Sequence, residues 1–438
     1  MSLLTFKRGV HPPDNKWITM DKPIVTIPPE NGALMAYPVS QHLGAPCKPI
    51  VEVGERVLMY QKIADTDAFV SAPVHSSVSG TVKEIRKTLT PNGTFSDAII
   101  IENDGGNEKY VNSAEAGAAT NEGLLKIIRE AGIVGLGGAG FPTHVKLNPP
   151  KGSVIDTVVV NAAECEPYLT TDYRVMMEDS KALVEGLQII LKLFPSAKGI
   201  IGIETNKMKA IEILESLCNG IPEISVARLK PKFPQGSEKQ LISACTNREV
   251  PSGGLPAHVG VIVDNVDTVM AVQRAVVHNM PLVRRVITLS GSCFNNPGNY
   301  RARIGLSYRA LIDAAGGFKE EPAKIISGGP MMGVAMYDLD IPIIKTSSAI
   351  LAFNKEEAVL PEERNCIRCA KCVDHCPMGL MPVELNKNAI YKDEVLFKKY
   401  NGLDCVECGS CSYICPAKRH LAQSIRSFKR AILSKPKS

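Results

Sequence analysis

Apolar and polar residues follow two different periods along this chain, and the period changes near residue 120. Between residues 36 and 103, short apolar runs alternate with small residues and stop at glycines, as in "PIVEVGERVLMYQKIAD" and "FVSAPVHSSVSGTVKEI". Alternation of this length, bounded by turn residues, is typical of short β-strands. The two stretches resemble each other as the hairpins of a barrel-sandwich do. A small β domain is therefore predicted over residues 36–112, after an extended segment over residues 1–35.

From residue 121 the apolar positions recur with a helical period. "NEGLLKIIREAGIVG" predicts a helix with a glycine stop, "VIDTVVVNAAE" a buried strand, "SKALVEGLQIILKLF" a helix, "KGIIGIET" a strand and "KMKAIEILESLC" a helix. Helices that alternate with β-branched runs indicate an α/β domain with a largely parallel sheet. That domain is predicted over residues 120–283. A small mixed unit follows over residues 284–352, where "RRVITLSG" and "KIISGGPMMG" bracket the helix "LSYRALIDAAGG".

Composition and charge narrow the class of protein. The chain has 438 residues, of which 45% are hydrophobic and 22% charged, which is ordinary for a globular protein of several domains. No apolar run reaches the ~18 residues of a membrane-spanning helix, and the N-terminus lacks a signal-peptide core. We therefore expect no transmembrane segment of the chain's own. The net charge is only +5, and no nucleic-acid-binding motif is recognisable, so nucleic acid is not expected as a partner.

The C-terminal stretch is amphipathic and basic. The last 21 residues hold seven lysines and arginines and no acid, while Leu421, Ile425, Phe428 and Ile432 recur on one helical face. The apolar face is expected to pack on the rest of its domain. The basic face stays available for anionic lipid or for an acidic partner, and the sequence does not choose between these.

Thirteen cysteines are present, and eight of them form two copies of one spacing. "NCIRCAKCVDHCPMGL" (365–380) and "DCVECGSCSYICPAKR" (404–419) both contain C-x2-C-x2-C-x3-C-P. This spacing holds [4Fe–4S] clusters, with three thiolates on one cluster and the fourth on the other. The predicted ligand sets are Cys366, Cys369, Cys372 and Cys415 for cluster 1, and Cys376, Cys405, Cys408 and Cys411 for cluster 2. A tetrahedral zinc ion, the alternative, needs neither a third thiolate nor a crossing fourth.

A glycine-rich loop, "GLGGAGFPTHVKL" (135–147), satisfies G-x-G-x-x-G through Gly135, Gly137 and Gly140. A Rossmann fingerprint follows a strand and opens a helix. This loop follows a predicted helix, and a strand is expected after Pro142. The neighbouring elements are therefore not those that a Rossmann fingerprint requires. Glycines still allow backbone N–H groups to approach a phosphate or a flat ring closely. A tight structural turn is the alternative.

Together with "VVNAAECEPYLTTDYRVM" (159–176), the loop resembles the flavin- and NADH-binding subunit of respiratory complex I. "PQGSEKQLI" (234–242) and "IVDNVDTV" (262–269) match two further stretches of that subunit. The resemblance implies non-covalent FMN and NAD(H), with hydride transfer through the flavin and no catalytic side chain. It implies these cofactor-binding residues: Gly137, Gly138, Gly140, Phe141, Lys146, Asn161, Glu164, Glu166, Glu238 and Asn265. Cys165 departs from the small residue that the complex I subunit usually has between these two glutamates. For Glu164 and Glu166, the alternative interpretation is a solvated strand end.

Over nearly its whole length the chain resembles the C subunits of Rnf electron-transport complexes. The matching pieces are "FKRGVHPP", the segment "VSQHLGAPCKPIVEVGERV", the glycine loop and both cysteine motifs. The resemblance implies a multidomain α/β and β fold. Its parts are a lipoyl-like barrel-sandwich domain, a Rossmann-like flavin domain, a β-grasp module like those called SLBB, and a two-cluster ferredoxin-like domain over residues 358–438. The barrel-sandwich domain also resembles lipoyl carriers, but its tip "ADTDAF" lacks a modifiable lysine, so we expect a docking or structural role.

The same resemblance implies a function. The chain is expected to be a peripheral subunit of a membrane ferredoxin:NAD+ oxidoreductase complex, on the cytoplasmic face of the cell membrane. It would exchange electrons between NAD(H), FMN and two [4Fe–4S] clusters, while partner subunits translocate ions. A flavin links the two electrons of a nicotinamide to one-electron clusters. The alternatives are a soluble flavin/iron–sulfur reductase such as a cobalamin reductase, and a zinc-stabilised scaffold without redox chemistry.

Overall fold

The computed structural model describes residues 3–111 and 120–435. Within these ranges the chain forms an N-terminal segment and four units, in the predicted order. Lys437 and the predicted domain ends at residues 112 and 438 lie outside the described residues.

The N-terminal segment runs across several units. Leu4 bridges to Leu229 and Val10 to Phe233 in the α/β domain. A short helical turn covers Lys16–Ile18. Strand β1 (Ile24–Ile27) then joins a sheet whose other strands all come from residues 284–353. The segment expected only to be extended is therefore built into the structure over its described length.

The barrel-sandwich unit consists of short antiparallel strands. They are β2 (Leu34–Pro38), β3 (Lys48–Pro49), β4 (Arg56–Val57), β5 (Lys62–Asp65), β6 (Val74–His75), β7 (Gly80–Leu89) and β8 (Phe95–Asn103). One sheet has the order β2-β8-β7-β4 and the other β3-β5-β6. The first strand begins at Leu34, two residues before the predicted start of this domain. The unit packs close to the glycine loop, because the Leu43 N–H donates to the Gly140 carbonyl at 3.1 Å.

The α/β unit is the predicted helix–strand alternation around a parallel sheet. Its elements are α1 (Asn121–Glu130), α2 (Thr143–Lys146), β9 (Thr157–Ala162), α3 (Thr171–Lys192), β10 (Lys198–Glu204), α4 (Met208–Cys218), β11 (Ile224–Leu229), α5 (Glu238–Thr246), β12 (Val261–Asn265) and α6 (Val266–His278). The sheet order is β11-β10-β9-β12, and all pairs are parallel. The side chain of Thr120 caps α1, which stops before Gly132 at a φ of +66°.

The prediction of a strand directly after the glycine loop is wrong. Pro142 occupies the N-cap position of the short helix α2, and the next strand begins only at Thr157. Proline favours a helix start because its fixed φ suits the first turn and its missing N–H would have no partner there. The loop therefore opens a helical turn, but no strand leads into it.

The β-grasp unit is a mixed sheet with one helix. It comprises β13 (Arg284–Ser290), β14 (Gly298–Arg303), α7 (Tyr308–Ala314), β15 (Lys324–Ser327), β16 (Val334–Met336) and β17 (Ala349–Phe353). The sheet order is β1-β14-β13-β17-β15-β16, so the N-terminal strand forms one edge. The loop between β15 and β16, "GGPMMG" (328–333), reaches toward the cysteine region.

The C-terminal unit is helical around the two cysteine motifs. Its helices are α8 (Lys371–Asp374), α9 (Pro382–Ile390), α10 (Glu394–Lys399), α11 (Ser410–Ile414) and α12 (Leu421–Leu433). Helix α12 buries Leu421, Ile425 and Ile432, and Phe428 meets Phe397 edge-on at 5.1 Å, which confirms the predicted apolar face. Across the described ranges, no helix combines the length and apolarity needed to cross a membrane.

Candidate functional site

The parallel sheet places two predicted residues side by side at a topological switch point. Asn161 is the second-to-last residue of β9 and Asn265 ends β12, and the two are register partners. From β9 the chain adds β10 and β11 on one side and β12 on the other. Open α/β sheets bind ligands at the carboxyl ends of strands where the order reverses. Both asparagines therefore lie where this fold binds ligands.

The glycine loop packs over this switch point and leaves its tip open. A Cβ at Gly137 would lie 3.0 Å from Asn265 Cβ, whereas a Cβ at Gly138 would meet no atom of the described part of the chain within 4 Å. Gly140 has a φ of +72°, and Thr346 Cγ2 would be 2.9 Å from its Cβ, so glycine is required there. Phe141 is partly buried beside it. A planar ligand can approach the backbone at Gly138 without meeting a side chain.

The loop is held from behind by side chains on other elements. Leu136 N–H donates to Thr268 Oγ1 at 2.9 Å, and Arg285 donates to the Leu136 carbonyl at 3.3 Å. Arg285 also pairs with Asp267 at 2.5 Å. Asp267 follows Asn265 at the start of α6, where the Asn265 side chain accepts its N–H at 3.0 Å. The loop and the switch point are thereby joined into one support.

Lys146 lies beneath this site with three acceptors around it. Its Nζ donates to Glu238 Oε1 at 3.2 Å and to the Val263 carbonyl at 2.8 Å, and Asp264 Oδ1 is 3.9 Å away. Asp264 is buried, and neither of its carboxylate oxygens has a hydrogen-bond partner in the described residues. Burial, which outweighs the attraction of Lys146, raises the pKa of Asp264 to about 6. The sequence prediction missed Asp264, although a carboxylate within the apolar run "VIVDN" was a usable signal.

The acidic segment after β9 is buried, so the alternative interpretation of Glu164 and Glu166 as a solvated strand end is wrong. The side chain of Glu164 is 3% exposed, and its Oε1 accepts the Asp172 N–H at 2.7 Å at the start of α3. Glu166 Oε2 accepts the Met331 N–H at 3.1 Å, while its Oε1 is buried without a partner in the described residues. Burial raises the pKa of Glu166 to about 7. Cys165, between them, accepts the Gly236 N–H at 3.2 Å, so its thiol is part of the packing.

A lysine from the N-terminal segment fixes this acidic segment. Lys16 is only 2% exposed, and its Nζ donates to the carbonyls of Glu166 at 2.9 Å and Leu169 at 2.5 Å. Its ammonium group is 3.9 Å from Glu164 Oε2. Burial lowers the pKa of Lys16. Lys16 is not among the predicted site residues, because nothing local in "HPPDNKWI" indicates partners some 150 residues away.

Replacing Lys16 with methionine is expected to destabilise the protein by about 3 kcal/mol. Two buried carbonyls would lose their donor, and the unpaired groups left behind account for a cost of that size. Thermal or urea unfolding measures the difference. Lys22→Met is the matched control, because Lys22 lies on the same segment and is exposed with a single carbonyl contact at Pro297. A loss no greater than in the control would contradict the anchoring role.

The eight motif cysteines fall into an inner and an outer set. One cavity is lined by Cys376, Cys405, Cys408 and Cys411, which we call the inner set. Burial raises the pKa of the Cys405 thiol to about 11, and nearby Cys408 and Cys376 add to the shift. Cys376 comes from the first motif and the other three from the second. The structure thus brings the crossing fourth cysteine to the three predicted companions.

The outer set, Cys366, Cys369, Cys372 and Cys415, lies nearer the surface. Cys366 and Cys369 are exposed. Burial raises the pKa of the Cys372 thiol, and Cys415 and Cys366 raise it further because both are close to it. Cys415 is the crossing cysteine of the second motif. In both sets the neighbours match the predicted division, and the ligand assignments themselves stay predictions.

The glycine loop, the switch point and the acidic segment after β9 together form what we call the flavin-type site. The inner set faces this site. Cys408 is buried in an apolar contact with Val10 and Phe233, and Cys165 and Met331 pack against the same group. A Cβ at Gly409 would lie 2.8 Å from the Met331 carbonyl, so the second motif closely abuts the 328–333 loop. That same loop receives Glu166. The acidic segment after β9 and the inner cysteines therefore lie on opposite sides of one layer of side chains, and this layer contacts both.

The residues present fit the implied cofactors. The unpartnered oxygens of Asp264 and Glu166 can accept from the hydroxyls of a flavin's side chain, and Gly138 leaves room for close approach. Among the described residues, no three His, Cys, Asp or Glu gather tightly enough for a single metal ion. The thiolates of a cubane stand farther apart than those of one zinc ion, because four iron atoms lie between them.

Comparison with known families divides the chain in the same way. Family models match for the RnfC barrel sandwich hybrid domain at residues 4–106 and for the Nuo51 FMN-binding domain at 128–274. An SLBB domain matches at 286–335 and a 4Fe-4S dicluster domain at 365–418. These matches confirm the predicted fold class and the prediction of FMN and of two [4Fe–4S] clusters.

Full-length relatives decide the family. The chain is 48% identical, over 98% of its length and 94% of the relative, to the C subunit of the proton-translocating ferredoxin:NAD(+) oxidoreductase complex of Clostridium ljungdahlii. It is 44% identical, over 98% of its length and 97% of the relative, to the C subunit of the Na(+)-translocating complex of Acetobacterium woodii. The chain belongs to the family of C subunits of ion-translocating ferredoxin:NAD+ oxidoreductase complexes. Of the three functional hypotheses, the first is the one this family supports.

Other members of the family are longer. The C subunit of an ion-translocating oxidoreductase complex from Yersinia enterocolitica is 40% identical over 87% of this chain, and the match covers 55% of that protein. The two full-length relatives are named for different ions at similar identity, so identity alone does not assign an ion to the complex of this chain.

The fold also occurs outside this family. The crystal structure of an NAD+-reducing [NiFe]-hydrogenase in the air-oxidized state superposes with a TM-score of 0.53. The match covers 74% of this chain and 69% of that one at 18% identity, and it shows a shared fold.

Proposed function

We propose that this protein exchanges electrons between NAD(H) and the rest of an ion-translocating ferredoxin:NAD+ oxidoreductase complex. The observation that carries the proposal is the contact between the inner cysteine set and the flavin-type site through Cys165, Phe233 and Met331. Electrons can pass between a nicotinamide site and a one-electron relay only when a flavin and a cluster lie close together. The buried contact supplies that closeness within one chain.

The flavin would be held at the switch point. Gly137, Gly138, Gly140 and Phe141 would border its ring and the nicotinamide nucleotide, and Lys146 with Glu238 would bind its polar side chain. Asn161, Asn265 and Glu166 would contact it from the sheet side, and Asp264 joins this set as an acceptor. Bound there, a flavin would supply the conversion between the two-electron chemistry of a nicotinamide and the one-electron chemistry of iron–sulfur clusters.

Glu164 has a different part in this proposal. Its carboxylate is taken by the N–H groups at the start of α3 and by Lys16, so it orients the acidic segment and does not contact the ligand. The inner set would hold the cluster nearest the flavin. The outer set, with Cys366 and Cys369 exposed, would hold the cluster that meets a partner.

An ion-translocating complex works across a membrane, and this chain is a subunit of such a membrane-associated complex. We place it peripherally on the cytoplasmic face, where NAD(H) is available. The other subunits of the complex would be its partners and would carry the ion path.

Anoxic purification followed by chemical analysis tests the proposal. We expect about eight irons and eight sulfides per chain, as two [4Fe–4S] clusters require, and FMN after reconstitution. Adding NADH should bleach both the flavin and the cluster absorbance. Zinc in place of iron, or clusters that do not respond to NADH in the presence of bound FMN, would overturn it.

The buried carboxyl of Asp264 is expected to make stability depend on pH. Its pKa is raised from 3.8 in the unfolded chain to about 6 in the native protein, so the native state binds the extra proton between these values. Stability therefore falls as the pH rises through this window. Asp264→Asn removes the effect, and its advantage over wild type should grow by about 2 kcal/mol between pH 4.5 and pH 8.

Denaturation across this pH range measures the difference. Asp97→Asn is the matched control, because the Asp97 side chain is 57% exposed on β8. An advantage of Asp264→Asn that does not change with pH would contradict the prediction.

A further inference from the structure

A cleft rich in arginine lies on the far side of the glycine-loop support, between the α/β unit and the β-grasp unit. The centres of water-sized molecules can occupy about 30 Å³ of it. Helices α3 and α6 form one wall, and strands β13 and β14 with the start of β1 form the other. Its charged lining residues are Arg274, Arg284, Arg285, Arg301, Glu178, Asp179 and Asp267. The flavin-type site uses only Asp267 and Arg285 from this set, and only as support.

The strand register puts like charges on one face of the sheet. Arg284 on β13 is the register partner of Arg303 on β14, and Val286 is the partner of Arg301. Residues two apart on a strand share a face, so Arg284, Arg301 and Arg303 point to the same side. Like charges directly opposite each other destabilise a sheet. Their placement is therefore favourable only with negative charge nearby.

Two of the three carboxylates of the cleft, those of Asp267 and Glu178, already have partners. Asp267 pairs with Arg274 at 2.7 Å and with Arg285 at 2.5 Å. Glu178, at the rim, pairs with Arg174 at 2.7 Å and accepts the Ile24 N–H at 2.8 Å. Neither is left to neutralise the two remaining arginines.

Those two arginines lack charged partners. Within residues 3–111 and 120–435, Arg284 makes no hydrogen bond and no ion pair through its side chain, and Arg301 has only a contact of 3.4 Å with Thr26 Oγ1. Asp179 is exposed at the rim and forms no ion pair with the described residues. Burial, followed by the charges of Arg274 and Arg301, lowers the pKa of Arg284 to about 10. The cleft thus holds a half-buried guanidinium without a side-chain partner in these ranges, and its nitrogens stay accessible to solvent and to an anion.

The wall of the cleft departs from regular helix at the same place. Asp179 has φ of −146° and ψ of 41° inside α3, so the helix is interrupted beside the arginines. The interruption turns helical backbone at the cleft rim away from its regular path.

We propose that this cleft binds the phosphate group of a small anion through Arg284 and Arg301, with Arg274 beside them. Guanidinium groups bind phosphate oxygens in a two-pronged geometry, and partly desolvated arginines do so more strongly than exposed ones. The free space admits a single phosphate group, so any larger part of the ligand would stay in solvent. The site is separate from the glycine loop but is joined to it, because Arg274 and Arg285 share Asp267 and Arg285 contacts the Leu136 carbonyl.

Titration calorimetry with inorganic phosphate, at constant ionic strength and against chloride, tests the site in the cofactor-loaded full chain. We expect one saturable site in the wild type and at least tenfold weaker binding in Arg284→Gln and in Arg301→Gln. Arg309→Gln is the matched control, because Arg309 is exposed and paired with Asp340 at 2.7 Å, and it should bind as the wild type does.

A nucleoside monophosphate used in the same titration distinguishes the source of the group. Tighter binding than inorganic phosphate would identify a phosphorylated metabolite, and equal binding would identify free phosphate; both support the site. Binding that does not saturate above the chloride baseline, or that is unchanged in both cleft variants, would overturn it. If Arg284→Gln fails to fold, Arg301→Gln decides, because Arg301 lies on β14, next to the edge strand β1.

Discussion

Replacing Cys408 with alanine is expected to stop electrons at the flavin. Cys408 is a buried member of the inner set, and it contacts Val10 and Phe233 beside Cys165. Without it the cluster nearest the flavin loses one of its four thiolates. NADH should still bleach the flavin absorbance, while cluster reduction and the reduction of one-electron acceptors fall by about 100-fold or more. Stopped-flow spectra and low-temperature electron paramagnetic resonance measure both.

Cys369→Ala is the matched control for this prediction. Cys369 is exposed and belongs to the predicted outer set. The variant should also lose one cluster, about four irons, yet NADH should still reduce the cluster that remains. If instead Cys369→Ala blocks cluster reduction and Cys408→Ala does not, the order of the clusters is the reverse of the one proposed.

Gly138→Val is expected to abolish flavin binding without harming the fold. A Cβ at Gly138 meets no atom of the described residues within 4 Å, and the φ of Gly138 lies outside the left-handed region, so these residues leave room for the new side chain. A flavin ring lying on this backbone would collide with it. We expect FMN affinity to fall at least about 100-fold, close to 3 kcal/mol, with an unchanged melting temperature of the flavin-free protein.

Gly140→Val provides the contrast. At Gly140 the φ of +72° and the nearby Thr346 methyl make any side chain unfavourable for the fold itself, so this variant should lose both stability and flavin. Fluorescence titration with FMN and thermal unfolding separate the two effects. Wild-type FMN affinity in Gly138→Val would show that the ligand does not lie against this loop.

The parts that were predictable from the sequence are those with local causes. Helix and strand periods, the glycine stop after α1 and the cysteine spacing all depend on residues within one or two turns of each other. The same holds for the apolar face of α12. The crossing of Cys376 and Cys415 was predictable because the paired spacing of the two motifs already implies it.

The parts that sequence reasoning missed depend on contacts between distant residues. Lys16 resembles any surface lysine until the fold brings Glu166 and Leu169 to it. Strand β1 has no pattern that names β14 as its neighbour. Glu164 was grouped with Glu166 as a ligand contact, but the start of α3 takes its carboxylate, and only the turn between β9 and α3 makes that possible.

The N-terminal segment has a consequence for how the protein is made. The N–H of Gly9 donates to the His375 carbonyl at 3.2 Å, and Val10 helps to cover Cys408. At synthesis rates of about 5–20 residues per second, the segment waits roughly 20–70 s for that partner to be translated. The same segment also bridges to Leu229 and Phe233, which are translated earlier, so its contacts form in two stages. The cover over the inner cysteines is completed only after the C-terminal unit has been translated.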